Sequence, residues 1–275
     1  MLLVSLSAGI QDWRMRALKL NYPMKSNGMY ILKSGDFDDI ATAILKEHMP
    51  YALEYPRAVD IDHLAQECFY LDIQHQHICY DGSILGLIAF DDATIPMLDM
   101  MYRPSTCHIP AGTIVIDYSL IGRDNLPRER FTKAHETGHW VCHRPYHSPD
   151  NQQFELRTAK ANSYIACRTE SIERSRYNRE KTDSDWEEWQ ADHFAAAILM
   201  PRSTFKEYAS SVIRHVGICR GFLVEGEDRK NKVYQVVEDV AEQFCVSKQA
   251  AQIRMTQLGL FVDRDLYRAS FAMYY

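Results

Sequence analysis

Apolar positions first fall into a helical rhythm over residues 36–48, where Ile40, Ala41, Ile44 and Leu45 share one side. A shorter helix is predicted over about 61–68, with Asp60 as its N-cap. Three strand-like stretches follow, at 71–77, 83–90 and 113–116. Beyond Pro127 the helical period dominates. Phe131, Ala134, Gly138, Val141 and Cys142 form an apolar stripe that stops before Pro145, and Leu126-Pro127-Arg128-Glu129 has the composition of a helix start. Residues 186–200 read as a strong helix with Trp189, Phe194, Ala197 and Ile198 in the core and Pro201 as its stop. A last stripe, Val236, Val237, Val240, Ala241 and Phe244, leads to a turn at Val246-Ser247 and a further helix carrying Ala250, Ala251, Ile253, Met255 and Leu258. Strands first and helices later indicate an α+β domain with a small sheet over a helix. Residues 1–35 lack a clear period and read as an N-terminal extension.

Composition narrows this picture. The chain has 275 residues, 46% hydrophobic and 25% charged, which suits one large globular domain or one domain with appendages. A net charge of −6 argues against broad nucleic-acid affinity. The seven cysteines are odd in number and form no C-x-x-C pair, so free thiols in a reducing cytoplasm are expected. The apolar N-terminus lacks a basic region and is too short to span a bilayer. The expectation is a cytoplasmic protein with no membrane partner.

The chemistry concentrates in His135-Glu136-Thr137-Gly138-His139, an H-E-x-x-H pattern. Residues four apart lie on one face of a helix, so His135 and His139 can aim two imidazole nitrogens at one cation. Glu136, one step round, can reach a water molecule there without ligating the cation. The strand-like 112–117 just upstream, placed beside such a helix, would offer an extended peptide a sheet edge.

A catalytic zinc takes three protein ligands, so a third is needed. His143 lies on the same face, and three histidines on one straight helix point too nearly parallel to surround an ion. His147 falls past Pro145 and reads as a loop histidine. Glu188 and Asp192 are stronger candidates, because they share one face of the helix predicted over 186–200. Glu188 would ligate, and Asp192 would accept the second N–H of a ligating histidine and so set its tautomer. Glu187 is the alternative ligand. His193 is a candidate lining residue with an equally good reading as a half-buried helix position.

At these residues the chain resembles the ImmA/IrrE family of zinc metallopeptidases. The similarity is carried by RERFTKAHETGHWVCH (128–143) and EWQADHFAAAILMP (188–201), with weaker support at 55–67, 81–90 and 236–260. It implies a zincin-like metallopeptidase domain over 36–210, zinc bound by His135, His139 and Glu188, Glu136 as general base, and a helix-turn-helix repressor protein as substrate. The separation of His139 and Glu188 is longer than in compact members. That marks 144–186 as an insertion, which includes a charged run over 169–181 and reads as a plain solvated loop, a short surface helix or a mobile, substrate-gating segment.

The remaining 211–275 are expected to be helical. Two helices about the turn at Val246-Ser247 are similar to a helix-turn-helix, with Lys248, Gln249, Gln252 and Arg254 on the second one and Cys245 where a turn glycine is usual. The acidic net charge favours a packing or docking module over a DNA reader. The alternative to an endopeptidase is a non-catalytic, metal-containing regulator that binds DNA or a partner through these helices.

Overall fold

The computed structural model describes residues 20–147, 164–168, 182–265 and 267–268. In chain order the elements are α1 (Ser34–His48), α2 (Tyr51–Glu54), α3 (Ile61–His63), β1 (Asp72–Gln76), β2 (Ile84–Ala89), β3 (Ala93–Leu98), β4 (Pro104–Ile109), β5 (Thr113–Asp117), α4 (Leu126–His143), β6 (Tyr164–Arg168), α5 (Asp183–Leu199), α6 (Arg202–His215), β7 (Leu223–Val224), α7 (Lys230–Phe244), α8 (Lys248–Gln257) and β8 (Phe261–Val262). The fold is α+β. The chain forms two compact units: residues up to Ala43 with Asp60–Ala195, and Ile44–Val59 with Ala196 and beyond.

The first unit is built on a four-stranded sheet of order β1-β5-β2-β6. β5 runs parallel to β1 and antiparallel to β2, and β2 pairs antiparallel with β6. The sheet is covered on both faces, so β5 is buried throughout as a continuous Thr-Ile-Val-Ile-Asp run. One face presents Leu87, Ala89 and Val115 to the β3–β4 hairpin, whose Ala93, Ile95, Met97 and Ile109 close that half of the core. Side chains alternate across a sheet, so Gly86, Ile88, Ile114 and Ile116 face the opposite way, toward α4.

The structure departs from the sequence expectations at four places. The strand at 113–117 offers no edge to a peptide, because β1 and β2 occupy both of its sides. The β3–β4 hairpin was not predicted: Pro96 interrupts the first strand, and the second, Pro104–Ile109, is exposed over most of its length and carries no apolar alternation. Within 144–186, residues 164–168 are neither loop nor helix but the outer strand β6. The charged run 169–181 lies outside the described residues, as do residues 1–19 of the expected extension. The helix expected over 61–68 starts as predicted, with Asp60 Oδ1 accepting from the His63 amide at 3.0 Å, but continues as a π-turn over Leu64–Cys68.

α4 is the centre of this unit. Every residue from Thr132 to His143 is buried, polar ones included. That is unusual for a segment containing lysine, glutamate and three histidines, and each such group needs a partner. Lys133 finds Glu129 at 2.8 Å and Asp62 at 2.7 Å, while the Thr132 and Thr137 hydroxyls bond back to carbonyls one turn earlier. His135 and His143 turn to α5, His139 lies between them, and Glu136 faces Gly86 of β2.

In the second unit the stripe Val236, Val237, Val240, Ala241 and Phe244 of α7 is buried as its spacing predicts, with Phe244 against Phe205 of α6 at 5.1 Å. Cys245 ends α7 in the left-handed region at φ 50°, the conformation that a turn glycine adopts freely. Ser247 caps α8 by accepting from the Ala250 amide at 3.1 Å. Two of the four residues weighed as DNA readers are engaged within the unit. Arg254 is buried and donates to the Met200 carbonyl at 3.2 and 3.1 Å. Lys248 pairs with Glu238 at 2.5 Å and Tyr234 at 2.6 Å. No described helix is long and apolar enough to cross a membrane.

Candidate metal centre

Two helices make the site, and one glycine sets how closely they approach. Gly138 on α4 lies against α5; a Cβ there would stand 3.0 Å from Phe194 Cδ1 and 3.2 Å from Ala191 Cα. Backbones that close allow short acidic side chains of α5 to reach the imidazoles of α4.

His135 Nε2 and His139 Nε2 lie 2.9 Å apart. Glu188 brings Oε2 to 3.4 Å from His135 Nε2 and Oε1 to 3.6 Å from His139 Nε2. One ligand atom from each of the three residues falls within 4.8 Å of the others. Bonds of about 2.1 Å to a tetrahedral ion separate its ligands by about 3.4 Å, a distance that these spacings bracket. The buried Glu188 Oε2 and both oxygens of the buried Glu136 have no hydrogen-bond partner among the described residues. Burying carboxylate oxygens without partners costs several kcal/mol. A divalent cation and its water are what such a donor set fits.

Asp192 stands where its spacing from Glu188 places it, with Oδ1 2.9 Å from His135 Nδ1. The imidazole N–H donates to this carboxylate, which leaves His135 Nε2 as a lone pair aimed at Glu188 and His139. His143 does not join the three. Its Nδ1 faces His139 Nδ1 at 2.9 Å, and its Nε2 faces Gln190 Oε1 at 3.1 Å. Glu187, the alternative ligand, turns instead to His147 Nε2 at 2.5 Å, and the His147 ring stacks on Phe90 at 4.5 Å. His193 packs with Trp189 at 4.1 Å and Phe37 at 5.6 Å and donates from Nδ1 to the Trp189 carbonyl at 2.8 Å, so it belongs to an aromatic cluster rather than to this group.

Glu136 occupies a pocket that β2 leaves open. A Cβ at Gly86 would lie 2.6 Å from Thr132 Cγ2 and 3.1 Å from Glu136 Oε1. Burial pushes the Glu136 carboxyl up to about 8; the Glu188 carboxylate adds to the rise and His135 opposes it. Burial likewise holds His139 well below the usual imidazole range, helped by His135, His143 and His147, and takes His143 down to about 3. Imidazoles held neutral present the lone pairs that metal ligation needs.

Sequence reasoning missed Gly86 and Gln190. An isolated glycine inside a strand pattern was the available signal for the first. For the second, His143 lay one further helical turn beyond His139 and called for a partner.

Among known proteins, a family described as the IrrE N-terminal-like domain, Peptidase_M78, matches residues 95–256, well over half of the chain. The match spans α4 and α5, and therefore all five of Glu136, His135, His139, Glu188 and Asp192. No curated protein matches the chain.

Proposed function

The chain belongs to the Peptidase_M78 family of metallopeptidases, and from that premise we propose that it is a zinc-dependent endopeptidase which cleaves a helix-turn-helix repressor and so releases the genes of a mobile element or stress response. The observation that carries the hydrolytic part is the meeting of His135, His139 and Glu188 from two helices beside the buried carboxyl of Glu136, which has no hydrogen-bond partner among the described residues. The substrate rests on the family resemblance.

His135, His139 and Glu188 would hold the cation, and nitrogen and oxygen donors in this pattern suit zinc. Bound there, zinc supplies Lewis acidity that acidifies water and polarises a scissile carbonyl. Glu136 takes the proton of the attacking water and delivers it to the leaving amine. Asp192 keeps the His135 ring from rotating.

The test is incubation with the repressor encoded beside this gene, with and without chelator, followed by mass spectrometry. Discrete fragments that vanish with chelator, and that Glu136→Gln forms roughly 10²–10⁴-fold more slowly while retaining zinc, are expected. An intact repressor, or cleavage indifferent to Glu136→Gln, would refute the proposal. The alternative, a metal-containing regulator acting through α7 and α8, is supported by the Ser247-capped helix pair but weakened by the internal engagement of Lys248 and Arg254. A salt-dependent shift of duplex DNA that Glu136→Gln leaves unchanged would favour it.

A further inference from the structure

The two histidines proposed as ligands are supported differently, and the support of His139 can be followed atom by atom. The Tyr30 backbone carbonyl only accepts hydrogen bonds, and Gln190 Nε2 donates to it at 2.9 Å. That contact fixes which end of the Gln190 amide is oxygen. Gln190 Oε1 therefore faces His143 Nε2 at 3.1 Å, and it too can only accept, so His143 Nε2 carries a hydrogen. His143 Nδ1 lies 2.9 Å from His139 Nδ1, and one nitrogen of that pair must carry the proton between them. A second proton on His143 would make it a cation in a fully buried position whose other hydrogen bond among the described residues is to a neutral amide. The proton consequently belongs to His139 Nδ1.

We infer that His143 and Gln190 are positioning residues which hold His139 in the tautomer with a bare Nε2, the form required to bind a metal. The inference rests on the metal-site reading above and extends it to residues that touch neither cation nor substrate. The chain runs Tyr30 carbonyl, Gln190 amide, His143 ring, His139 ring, with every step a hydrogen bond between neutral groups. His135 reaches the same result by another route, through the Asp192 carboxylate, whose side chain is 21% exposed. Depth explains the difference. His139, His143 and Gln190 are at most 2% exposed, and an anion placed there would forfeit its hydration. A neutral amide–imidazole relay conveys the same tautomeric instruction without a buried charge. It follows that His135, bonded to an anion, is the stronger electron donor of the two.

The test reads tautomers directly. Long-range ¹H–¹⁵N correlation spectra of the imidazoles in the full chain, after zinc is removed by chelation, should show His139 protonated at Nδ1 and His143 at Nε2. His143 should keep that state when zinc is restored. His139 protonated at Nε2, or His143 at Nδ1, would overturn the inference. Gln190→Met should release both tautomers and weaken zinc binding on the order of 10–100-fold, whereas Gln190→Glu, which still accepts from His143, should preserve the His143 tautomer. Unchanged zinc affinity and spectra in Gln190→Met would also overturn it. Should that variant fail to fold, the unmodified chain still decides. These readouts need no substrate, so they stand apart from whether the repressor is cleaved.

Discussion

Gly138 and Phe194 touch across the two helices of the candidate metal centre, with room for hydrogen only: a Cβ on residue 138 would sit 3.0 Å from Phe194 Cδ1 and 3.1 Å from Phe194 Cβ. The third close atom is the α-carbon of Ala191, which cannot rotate away. Gly138→Ala must therefore separate α4 and α5 by a few tenths of an ångström, and Glu188 rides on α5. The expected result is weaker zinc binding, with a stability loss of about 1–3 kcal/mol from overpacking that the better helix propensity of alanine offsets by about 1 kcal/mol. Zinc competition and urea unfolding measure the two. Gly35→Ala is the control, since no atom of the described residues lies within 4 Å of its Cβ position. Equal zinc affinity in both variants would mean that the helix contact does not position Glu188.

Gly86 plays a different part, and the same substitution should separate the two roles. A Cβ there collides with Thr132 Cγ2 at 2.6 Å and presses on Glu136 Oε1 and Cγ at 3.1 and 3.3 Å. Both neighbours belong to α4, but neither is a proposed ligand. Gly86→Ala should thus depress peptide hydrolysis much more than zinc occupancy, the reverse of the ordering expected for Gly138→Ala. Elemental analysis beside a turnover assay checks this. Parallel losses of metal and activity would show that β2 supports the ligands rather than the base.

Asp192 accepts the His135 Nδ1 proton at 2.9 Å from a partly exposed position. Asp192→Asn keeps an acceptor oxygen but removes the charge and adds a competing N–H. A loss of about 10–100-fold in zinc affinity or activity is expected. Zinc titration of the purified variant decides it, and an unaltered dissociation constant would reduce Asp192 to a surface carboxylate.

The parts of the site legible in the sequence are those fixed by helix geometry alone. His135 and His139 are four apart, as are Glu188 and Asp192, and each pair necessarily shares a face. Gln190 stands midway between the acidic pair, and its second contact, Tyr30, is 160 positions away, so only tertiary packing could reveal its use. Gly86 was legible only as a glycine inside a strand pattern; its importance lies in which side of β2 meets α4, a matter of register rather than composition. The sheet was legible where strands are buried and apolar, as in Thr113–Asp117, and illegible where solvent or proline removes the alternation, as in Pro104–Ile109 and at Pro96. The helix pair at Cys245 was readable because local chemistry determines it: a left-handed residue followed by a serine cap.

The buried titratable groups of the site predict an unusual pH profile for the metal-free protein. His139 and His143 have imidazoles held below their ordinary 6.5, His143 as low as about 3. Below pH 6.5 the unfolded chain binds protons that these folded rings refuse, so stability declines as pH falls from 6.5 toward 3. Glu136 acts with the opposite sign. Its folded carboxyl titrates near 8 against 4.5 when exposed, so the folded state holds a proton that the unfolded chain releases, and stability declines as pH rises from 4.5 to about 8. Between 4.5 and 6.5 two histidines outweigh one carboxyl; between 6.5 and 8 the carboxyl acts alone. Each unopposed proton changes stability by about 1.4 kcal/mol per pH unit. Urea midpoints of the chelated protein should therefore pass through a maximum near pH 6.5. Glu136→Gln should abolish the alkaline decline and leave the acid limb, because glutamine has no proton to release. A profile that rises monotonically to pH 8, or one that Glu136→Gln does not alter, would show that these groups are solvated rather than sealed between the helices.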